Sequence, residues 1–347
     1  MNSATRGHRL RALVVDVPGT QRNGLVDVLH DDGDIVVVGQ PDNATDAIEQ
    51  VAQTRPDVVI LDLHLPGSQS QHTIEQIMAR TPTPILILSG RLDDRQSPSA
   101  VQALVAGALE ALPRPRQWTP ERAAELRRTL RLISTVHVIR HPRGGLAKGS
   151  KKNATPRSGD QPVVAIAAST GGPSALATIL SGLAGLQAPV LVVQHLHTDF
   201  IDGLVDWMSR VSALPVETAS AHQIARAGRI YLAPGGTHLR FGANGRLELA
   251  ELPVSVHRPS ADELFKSVAE SAGSAAIGVL LTGMGEDGAQ GLLAIRRQGG
   301  ITLAQDEASS AVFGMPKAAE RLGAVTEMLP LGKLAAAIHR AVRQVQT

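Results

Sequence analysis

A serine, a histidine and an aspartate of this chain stand where acyl-transfer chemistry could use them. Ser169 comes directly after an apolar run, His195 follows a second run after one intervening residue, and Asp287 lies in the loop after a third such run. Side chains of these types can act as nucleophile, general base and orienting carboxylate. If the runs are parallel strands, their carboxyl ends open on one crevice. The pattern therefore predicts a catalytic group of Ser169, His195 and Asp287.

The stretch 163–175, VVAIAASTGGPSA, predicts that Ser169 lies at a tight turn between a strand and a helix. Its apolar first part reads as a strand, and Pro173 suits the first turn of a helix. The sequence around the serine, Ala-x-Ser-x-Gly, is one small residue away from the Gly-x-Ser-x-Gly elbow that exposes a nucleophilic hydroxyl. The same stretch also fits a simple helix cap or an anion cradle.

Backbone N–H groups near the serine are candidates for stabilising an oxyanion. Thr170 follows the nucleophile, and Met284 is flanked by Gly283 and Gly285, which let the backbone approach a ligand closely. The chain order Ser, His, Asp differs from the Ser, Asp, His order of the α/β-hydrolases, so that fold is not implied.

A metal-dependent hydrolase is the first alternative. His195 and His197 are two residues apart at a strand end and could face the same way, with Asp199 as a third ligand. That arrangement leaves Ser169 without a role.

A dinucleotide-binding module is the second alternative. Gly283-x-Gly285-x-x-Gly288 follows a strand and opens a helix, and Asp306 follows the next strand, as in a dinucleotide fingerprint. Against it, Glu286 and Asp287 place negative charge inside the loop that would receive a pyrophosphate.

Alternating apolar strands and amphipathic helices predict an α/β fold with two doubly wound parallel sheets. The predicted domains are a receiver-like, flavodoxin-like domain at 1–118, a helix and basic flexible linker at 119–160, and a Rossmann-like catalytic domain at 161–347. The predicted strands of the two sheets are 13–16, 35–39, 58–61, 85–88 and 108–112, then 163–167, 190–193, 229–233, 277–281 and 301–304.

Four polar residues meet the strand ends of the first predicted sheet. Asp16, Asp62 and Ser89 lie at the ends of three strands, and Arg114 follows the fifth. Two carboxylates could bind a divalent metal, and one of them could accept a phosphoryl group.

Composition narrows the function classes. The 347 residues suffice for two domains and include no cysteine, which removes disulfides, thiolate zinc sites and a cysteine nucleophile. No apolar run approaches a bilayer span and no signal region opens the chain, so we expect a cytoplasmic protein without membrane insertion. Residues 116–160 carry 11 basic and 3 acidic groups. With few aromatic residues for base stacking, this segment predicts a solvated linker and no nucleic-acid partner.

Residues 10–115 resemble a response-regulator receiver domain. The resemblance is carried by LVVD at 13–16, PDVVILDLHLP at 56–66, ILILSG at 85–90 and GALEALPRP at 107–115. It implies a histidine kinase as phosphodonor, phosphorylation of Asp62, and Mg²⁺ at Asp16 and Asp62. Two positions depart from the family pattern, Val17 in place of an acidic residue and Arg114 in place of a lysine. Valine offers no ligand oxygen, so Mg²⁺ binding and phosphorylation are expected to be weak.

The second half resembles the chemotaxis protein-glutamate methylesterase family. The shared motifs are AIAASTGGPSAL, VVQHLH, YLAPGGTHL, HRPSADELF, VLLTGMGEDGAQGL and AQDEASSAVFGMPKAA. The resemblance implies hydrolysis of glutamate methyl esters on the cytoplasmic domain of chemoreceptors, with deamidation of receptor glutamines and without a cofactor. It places the family's triad on Ser169, His195 and Asp287. A tethered receiver is expected to inhibit by covering the crevice above the serine.

Overall fold

The computed structural model describes residues 9–63, 70–89, 98–136, 161–255 and 257–347. The chain forms two compact units, Met1–Pro142 and Arg143–Thr347. The predicted linker beyond residue 136 lies outside the described residues. The domain boundaries 1–118, 119–160 and 161–347 stay a prediction.

The first unit contains a five-stranded parallel sheet with the strand order β2-β1-β3-β4-β5. This is the flavodoxin-like order. β3 and β4 are buried along their whole length, as expected for strands covered on both faces. The strands are β1 (Leu10–Val15), β2 (Ile35–Gly39), β3 (Val58–Asp62), β4 (Ile85–Ser89) and β5 (Glu110–Pro113).

The helices of the first unit begin at recognisable caps where the sequence supplies them. Asn43 accepts a hydrogen bond from the Asp46 N–H at the start of α2, and Thr119 caps α5 ahead of Pro120. The helices are α1 (Thr20–His30), α2 (Ala44–Thr54), α3 (Ser70–Arg80), α4 (Pro98–Val105) and α5 (Pro120–Ser134).

The helix α5, which the sequence analysis grouped with the linker, packs against the first sheet. It contacts β3, β4 and α1 and buries Leu126, Leu130 and Ile133. Arg131 on this helix also forms ion pairs with Asp32 and Asp34 beyond α1, at 2.6 and 2.7 Å. The helix is therefore part of the first unit.

The second unit contains a seven-stranded parallel sheet with the order β14-β13-β12-β6-β7-β9-β8. The strands are β6 (Val163–Ala168), β7 (Val190–Gln194), β8 (Val216–Thr218), β9 (Ile230–Leu232), β12 (Ala276–Leu280), β13 (Ile301–Gln305) and β14 (Glu327–Leu329), and β10 (His238–Phe241) and β11 (Leu247–Ala250) form a separate antiparallel pair. The sequence analysis did not identify β8, β14 or this pair.

Two groups of helices pack around the second sheet. α6 (Gly172–Ser181) contacts α7 (Ile201–Val211) and α11 (Leu331–Gln346), whereas α9 (Ala289–Arg297) contacts α8 (Ala261–Ala272) and α10 (Met315–Arg321). The strand order reverses at β6, where a parallel α/β sheet opens its binding crevice. The predicted fold class, two parallel α/β sheets, is confirmed. Among the described residues, no helix combines the length and hydrophobicity needed to cross a bilayer.

We predict that Leu130→Ala lowers the stability of the first unit by about 2–5 kcal/mol, because it leaves a cavity under α5. Leu132→Ala, on the same helix but 45% exposed, should have little effect. The measurement is urea unfolding followed by the fluorescence of Trp118. The chain has 2 tryptophans, so Trp207→Phe is introduced in all proteins to leave Trp118 as the reporter of the first unit. Equal losses for the two variants would contradict the packing of α5.

Candidate active site

The two central strands bring Ser169 and His195 side by side. These residues directly follow the register pair Ala168 and Gln194 at the ends of β6 and β7. The His195 N–H donates to the Ala168 carbonyl at 3.0 Å, and the Ser169 N–H donates to the carbonyl of Thr282, beyond β12, at 3.0 Å. Neighbouring strands lie about 4.8 Å apart. The serine is thus flanked by the histidine on one side and by the loop after β12 on the other.

His195 contacts Asp287 through one ring nitrogen only. Its Nε2 lies 2.8 Å from Asp287 Oδ2, and both side chains are largely buried. An ionised carboxylate can only accept, so Nε2 carries the proton and Nδ1 is the basic nitrogen. His195 Nδ1 is buried and has no hydrogen-bond partner among the described residues. A base with a free, desolvated lone pair therefore stands next to Ser169 in the sheet.

The carboxylate of Asp287 is bound at the N-terminus of α8. Its Oδ1 accepts from the Ser260 hydroxyl at 2.9 Å and from the Asp262 N–H at 3.0 Å, and its Oδ2 accepts from the Ala261 N–H at 2.8 Å. Burial raises the pKa of this carboxyl, but the hydrogen bond and charge of His195 and the backbone N–H groups outweigh it and hold the pKa below its ordinary value. Asp287 is thus ionised and fixed.

Ser260 and His238 support this arrangement from behind. Ser260 is the N-cap of α8, as its capping-box sequence predicts, and its N–H donates to His238 Nδ1 at 3.2 Å. His238 Nε2 lies 2.8 Å from the Pro253 carbonyl and donates to it. Both nitrogens of His238 are engaged and its ring is fully buried, so this residue is structural.

Gln194 links the backbone of Ser169 to that of His195. Its Nε2 donates to the carbonyl of Ser169 at 2.8 Å and to the carbonyl of His195 at 2.9 Å. The sequence analysis gave this residue no role. An amide at the last position of an otherwise apolar, buried strand was the signal that could have identified it.

The turn that carries Ser169 depends on glycine. Gly171 has a φ of 75°, and a Cβ there would lie 2.5 Å from the Cβ of Ala311. Gly283 packs directly on Ser169, since a Cβ there would lie 2.7 Å from Ser169 Cβ. The loop after β12 can therefore approach the serine only because it is glycine-rich.

The predicted oxyanion donors belong to two segments that adjoin Ser169. Thr170 is the next residue in the chain, and Met284 follows Gly283 in the loop that packs on the serine. Neither backbone N–H has an acceptor among the residues that the structure describes. Their assignment as oxyanion donors stays a prediction.

Several residues of the alternative metal site and of the alternative dinucleotide site form hydrogen bonds within the protein. His197 Nδ1 accepts from the Asp199 N–H at 3.4 Å, and His195 is held by Asp287. Within the described ranges no group of three histidine, aspartate or glutamate side chains is arranged as a metal site. In the 283–288 loop, the Asp287 carboxylate occupies the N-terminus of α8.

The first unit also brings its predicted pocket residues together. Arg114 donates through Nη2 to Asp16 Oδ2 at 2.6 Å and through Nη1 to Asp62 Oδ2. The three charged side chains are each only 5% exposed. The Arg114 N–H donates to the Ser89 carbonyl at 2.8 Å. All four residues lie at the carboxyl edge of the first sheet.

These residues do not fit Mg²⁺. The ion needs near-octahedral oxygen ligands, whereas the oxygens of Asp16 and Asp62 that face each other hold the guanidinium of Arg114. Val17, at the position next to Asp16, is 40% exposed and offers no ligand.

Comparison with known proteins gives one family match for each of the two units. Residues 164–338 match the family model of the CheB methylesterase, and residues 12–121 match that of the response regulator receiver domain. A protein-glutamate methylesterase/protein-glutamine glutaminase of Anaeromyxobacter dehalogenans is 41% identical, over 99% of this chain and all of its own length. This chain belongs to the CheB methylesterase family. It is a hydrolase of that family with an N-terminal receiver domain.

Other family members show the same extent of similarity. A protein-glutamate methylesterase/protein-glutamine glutaminase of Paramagnetospirillum magneticum is 37% identical over 95% of each chain. The crystal structure of the Thermotoga maritima CheB methylesterase catalytic domain has 33% identity and a TM-score of 0.50, covering 52% of this chain and 98% of its own. A solved catalytic domain of the family thus corresponds to about half of this chain.

We predict that Asp287→Asn destabilises the second unit at neutral pH by about 1–3 kcal/mol, since it removes a charged acceptor from three N–H or O–H donors and His195. Because the folded-state pKa of Asp287 is depressed, its contribution is present above the ordinary pKa of 3.8 and is lost as pH falls below it. The stability gap between wild type and variant should therefore narrow in acid.

The measurement is urea unfolding of both proteins at a series of pH values. Glu286→Gln, an exposed neighbour in the same loop, is the control and should leave no such gap. A gap that is constant with pH would contradict the assignment of Asp287 as a carboxylate held ionised by α8 and His195.

Proposed function

We propose that this chain hydrolyses glutamate methyl esters of chemoreceptors through Ser169, His195 and Asp287, and deamidates receptor glutamines at the same site. The observation that carries the proposal is the state of His195. One ring nitrogen is fixed on an ionised carboxylate, and the other is buried, basic and without a partner beside Ser169. A general base needs this arrangement.

The reaction proceeds in two steps. Ser169 Oγ attacks the side-chain ester carbonyl while His195 Nδ1 takes the hydroxyl proton, and the proton then passes to the leaving methoxide, which departs as methanol. Water attacks the resulting acyl-enzyme, again losing a proton to Nδ1, and frees the glutamate carboxylate and Ser169. With a glutamine substrate, ammonia leaves in place of methanol. Asp287 stabilises the imidazolium in both steps.

The N–H groups of Thr170 and Met284 would bind the oxyanion of the tetrahedral intermediate. They flank Ser169, and neither is used by the backbone of the described residues. Such preorganised donors are worth about 10²–10³ in rate each.

The partners follow from the two domains. We propose the methylated cytoplasmic domain of a chemoreceptor as substrate and a histidine kinase as the phosphodonor that the receiver fold is adapted to, both in the cytoplasm. Support comes from the receiver match over 12–121 and from the names of the full-length relatives.

We predict that Ser169→Ala and His195→Ala each lower methanol release from methylated receptor by about 10⁴- to 10⁶-fold, because triad members act as a unit. Ser174→Ala, a serine in the first turn of the same helix, is the matched control and should retain activity. Methanol release that survives Ser169→Ala would refute the serine mechanism, and loss of wild-type activity to a chelator would favour the metal alternative at His195 and His197.

A further inference from the structure

His257 lies against the proposed general base but has no part in the mechanism above. Its ring is stacked on that of His195, with ring centroids 4.2 Å apart and planes inclined by 9°. His257 is the first residue of the motif HRPSADELF, for which the sequence predicted no contact with His195. The stack calls for a physical explanation because His195 must present Nδ1 to Ser169 in one orientation.

The loop that carries His257 is hydrogen-bonded to the rest of the second unit on both sides of this residue. The Pro253 carbonyl accepts from His238, which is itself buried, at 2.8 Å. The Arg258 carbonyl accepts from the Gly236 N–H at 3.3 Å. Backbone hydrogen bonds on both sides of His257 thus help to place its ring against His195.

The hydrogen bond to Asp287 does not by itself fix the tilt of the His195 ring. It fixes Nε2 at 2.8 Å from the carboxylate, but the ring can still tilt about that contact and carry Nδ1 away from the serine. A parallel ring on one face blocks the tilt. It also presents a π face to the imidazolium that forms when His195 takes the proton, and a cation within about 6 Å of a ring centroid is stabilised there.

We propose that His257 is a positioning residue of the esterase site, which holds the His195 ring so that Nδ1 meets Ser169 and stabilises its protonated form. The proposal rests on the proposed function, since it presumes that Ser169 and His195 react. It needs His257 to be neutral. Burial, and then the charge of His195, lower the pKa of His257, against a smaller opposite effect of Asp287.

The test is the reactivity of Ser169 in the full-length protein toward a small sulfonyl fluoride. In that reaction the hydroxyl oxygen bonds to sulfur, fluoride leaves, and the proton passes to His195, so receptor binding plays no part. The variants are His257→Ala, which removes the ring, and His257→Phe, which restores a stacking ring that cannot titrate. Val254→Ser, a 78% exposed side chain of the same loop, is the control.

We expect His257→Ala to slow sulfonylation of Ser169 and kcat for methanol release by about tenfold to a hundredfold, as a misplaced base does, with KM within about twofold. His257→Phe should recover most of both rates, and Val254→Ser should match wild type. A His257→Ala variant with wild-type rates, or a His257→Phe variant as slow as alanine, overturns the proposal. Failure of the serine mechanism itself is distinguishable, because Ser169→Ala would then still be active.

A second inference rests on the receiver pocket alone. Arg114 spans Asp16 and Asp62 with separate terminal nitrogens, and all three groups are buried. Arginine is well suited to hold two carboxylates at once, because its planar fork presents several donors and its charge cannot be lost. Mg²⁺ bound to the same oxygens would repel the buried guanidinium that these oxygens now contact.

We infer that Arg114 takes the place of the metal ion in this receiver, so that the domain binds no Mg²⁺ and Asp62 is a poor phosphoryl acceptor. Phosphoryl transfer depends on a cation that neutralises charge on the transferring group while the nucleophile stays available. Here one oxygen of Asp62 is occupied by the guanidinium. The charges of Asp16 and Asp62 are therefore balanced by the guanidinium of Arg114 and not by an exchangeable metal ion.

The test compares full-length wild type, Arg114→Lys, and Val17→Asp combined with Arg114→Lys. Each protein is incubated with a small phosphodonor, with and without millimolar Mg²⁺, and the readouts are the phosphate adduct on the intact mass, the melting temperature and methanol release. Arg131→Lys is the matched control, because Arg131 also bridges two aspartates, Asp32 and Asp34, in the same unit.

We expect Mg²⁺ to leave the melting temperature of wild type and of Arg131→Lys unchanged and to raise that of the double variant. The double variant should gain the adduct at least about tenfold faster than wild type and respond to the donor in methanol release. Rapid Mg²⁺-dependent labelling of wild type, or a double variant that neither binds Mg²⁺ nor is labelled, overturns the inference.

Discussion

The binding of the Asp287 carboxylate at the N-terminus of α8 is the interaction on which the rest of the site depends. Four donors converge on it, namely two backbone N–H groups, the Ser260 hydroxyl and His195. An anion at a helix N-terminus is stabilised by the unsatisfied N–H groups and the helix dipole. Because this keeps Asp287 ionised, the His195 proton sits on Nε2, and the buried Nδ1 is left as an acceptor without a partner among the described residues.

The order of the strands determines which segments lie next to Ser169. β6 lies at the point where the order reverses, so its end is bordered by β7 on one side and β12 on the other. A parallel register places residues that follow paired positions at the same edge. Ser169 and His195 follow one such pair directly, and the glycine-rich loop after β12 reaches the serine from the other neighbour. Three segments far apart in the chain thus meet at one edge of the sheet.

The positions of the site residues at strand ends could be predicted from the sequence, because a strand end is visible as an abrupt change from apolar to polar residues. Ser169, His195 and Asp62 could be placed from that change alone, and the structure brings the histidine onto Asp287. The sequence did not predict the stack of His257 on His195, because the loop that delivers His257 is fixed by a distant buried histidine and has no periodicity of its own. Helix α5 was assigned to the linker because its charged face suggested solvent, whereas its arginines pair with aspartates near α1.

Gln194 holds Ser169 and His195 by their carbonyl oxygens and leaves their side chains untouched. The scaffold of the site is therefore independent of its reactive atoms. A protein with the Ser169 hydroxyl removed keeps the loop, the imidazole and the N–H groups where they are, because Gln194 binds Ser169 through its carbonyl and not through its hydroxyl. Such an inactive form is a capture reagent. It would retain a bound ester that it cannot cleave, and so allow the receptor that this enzyme serves to be isolated from the cell.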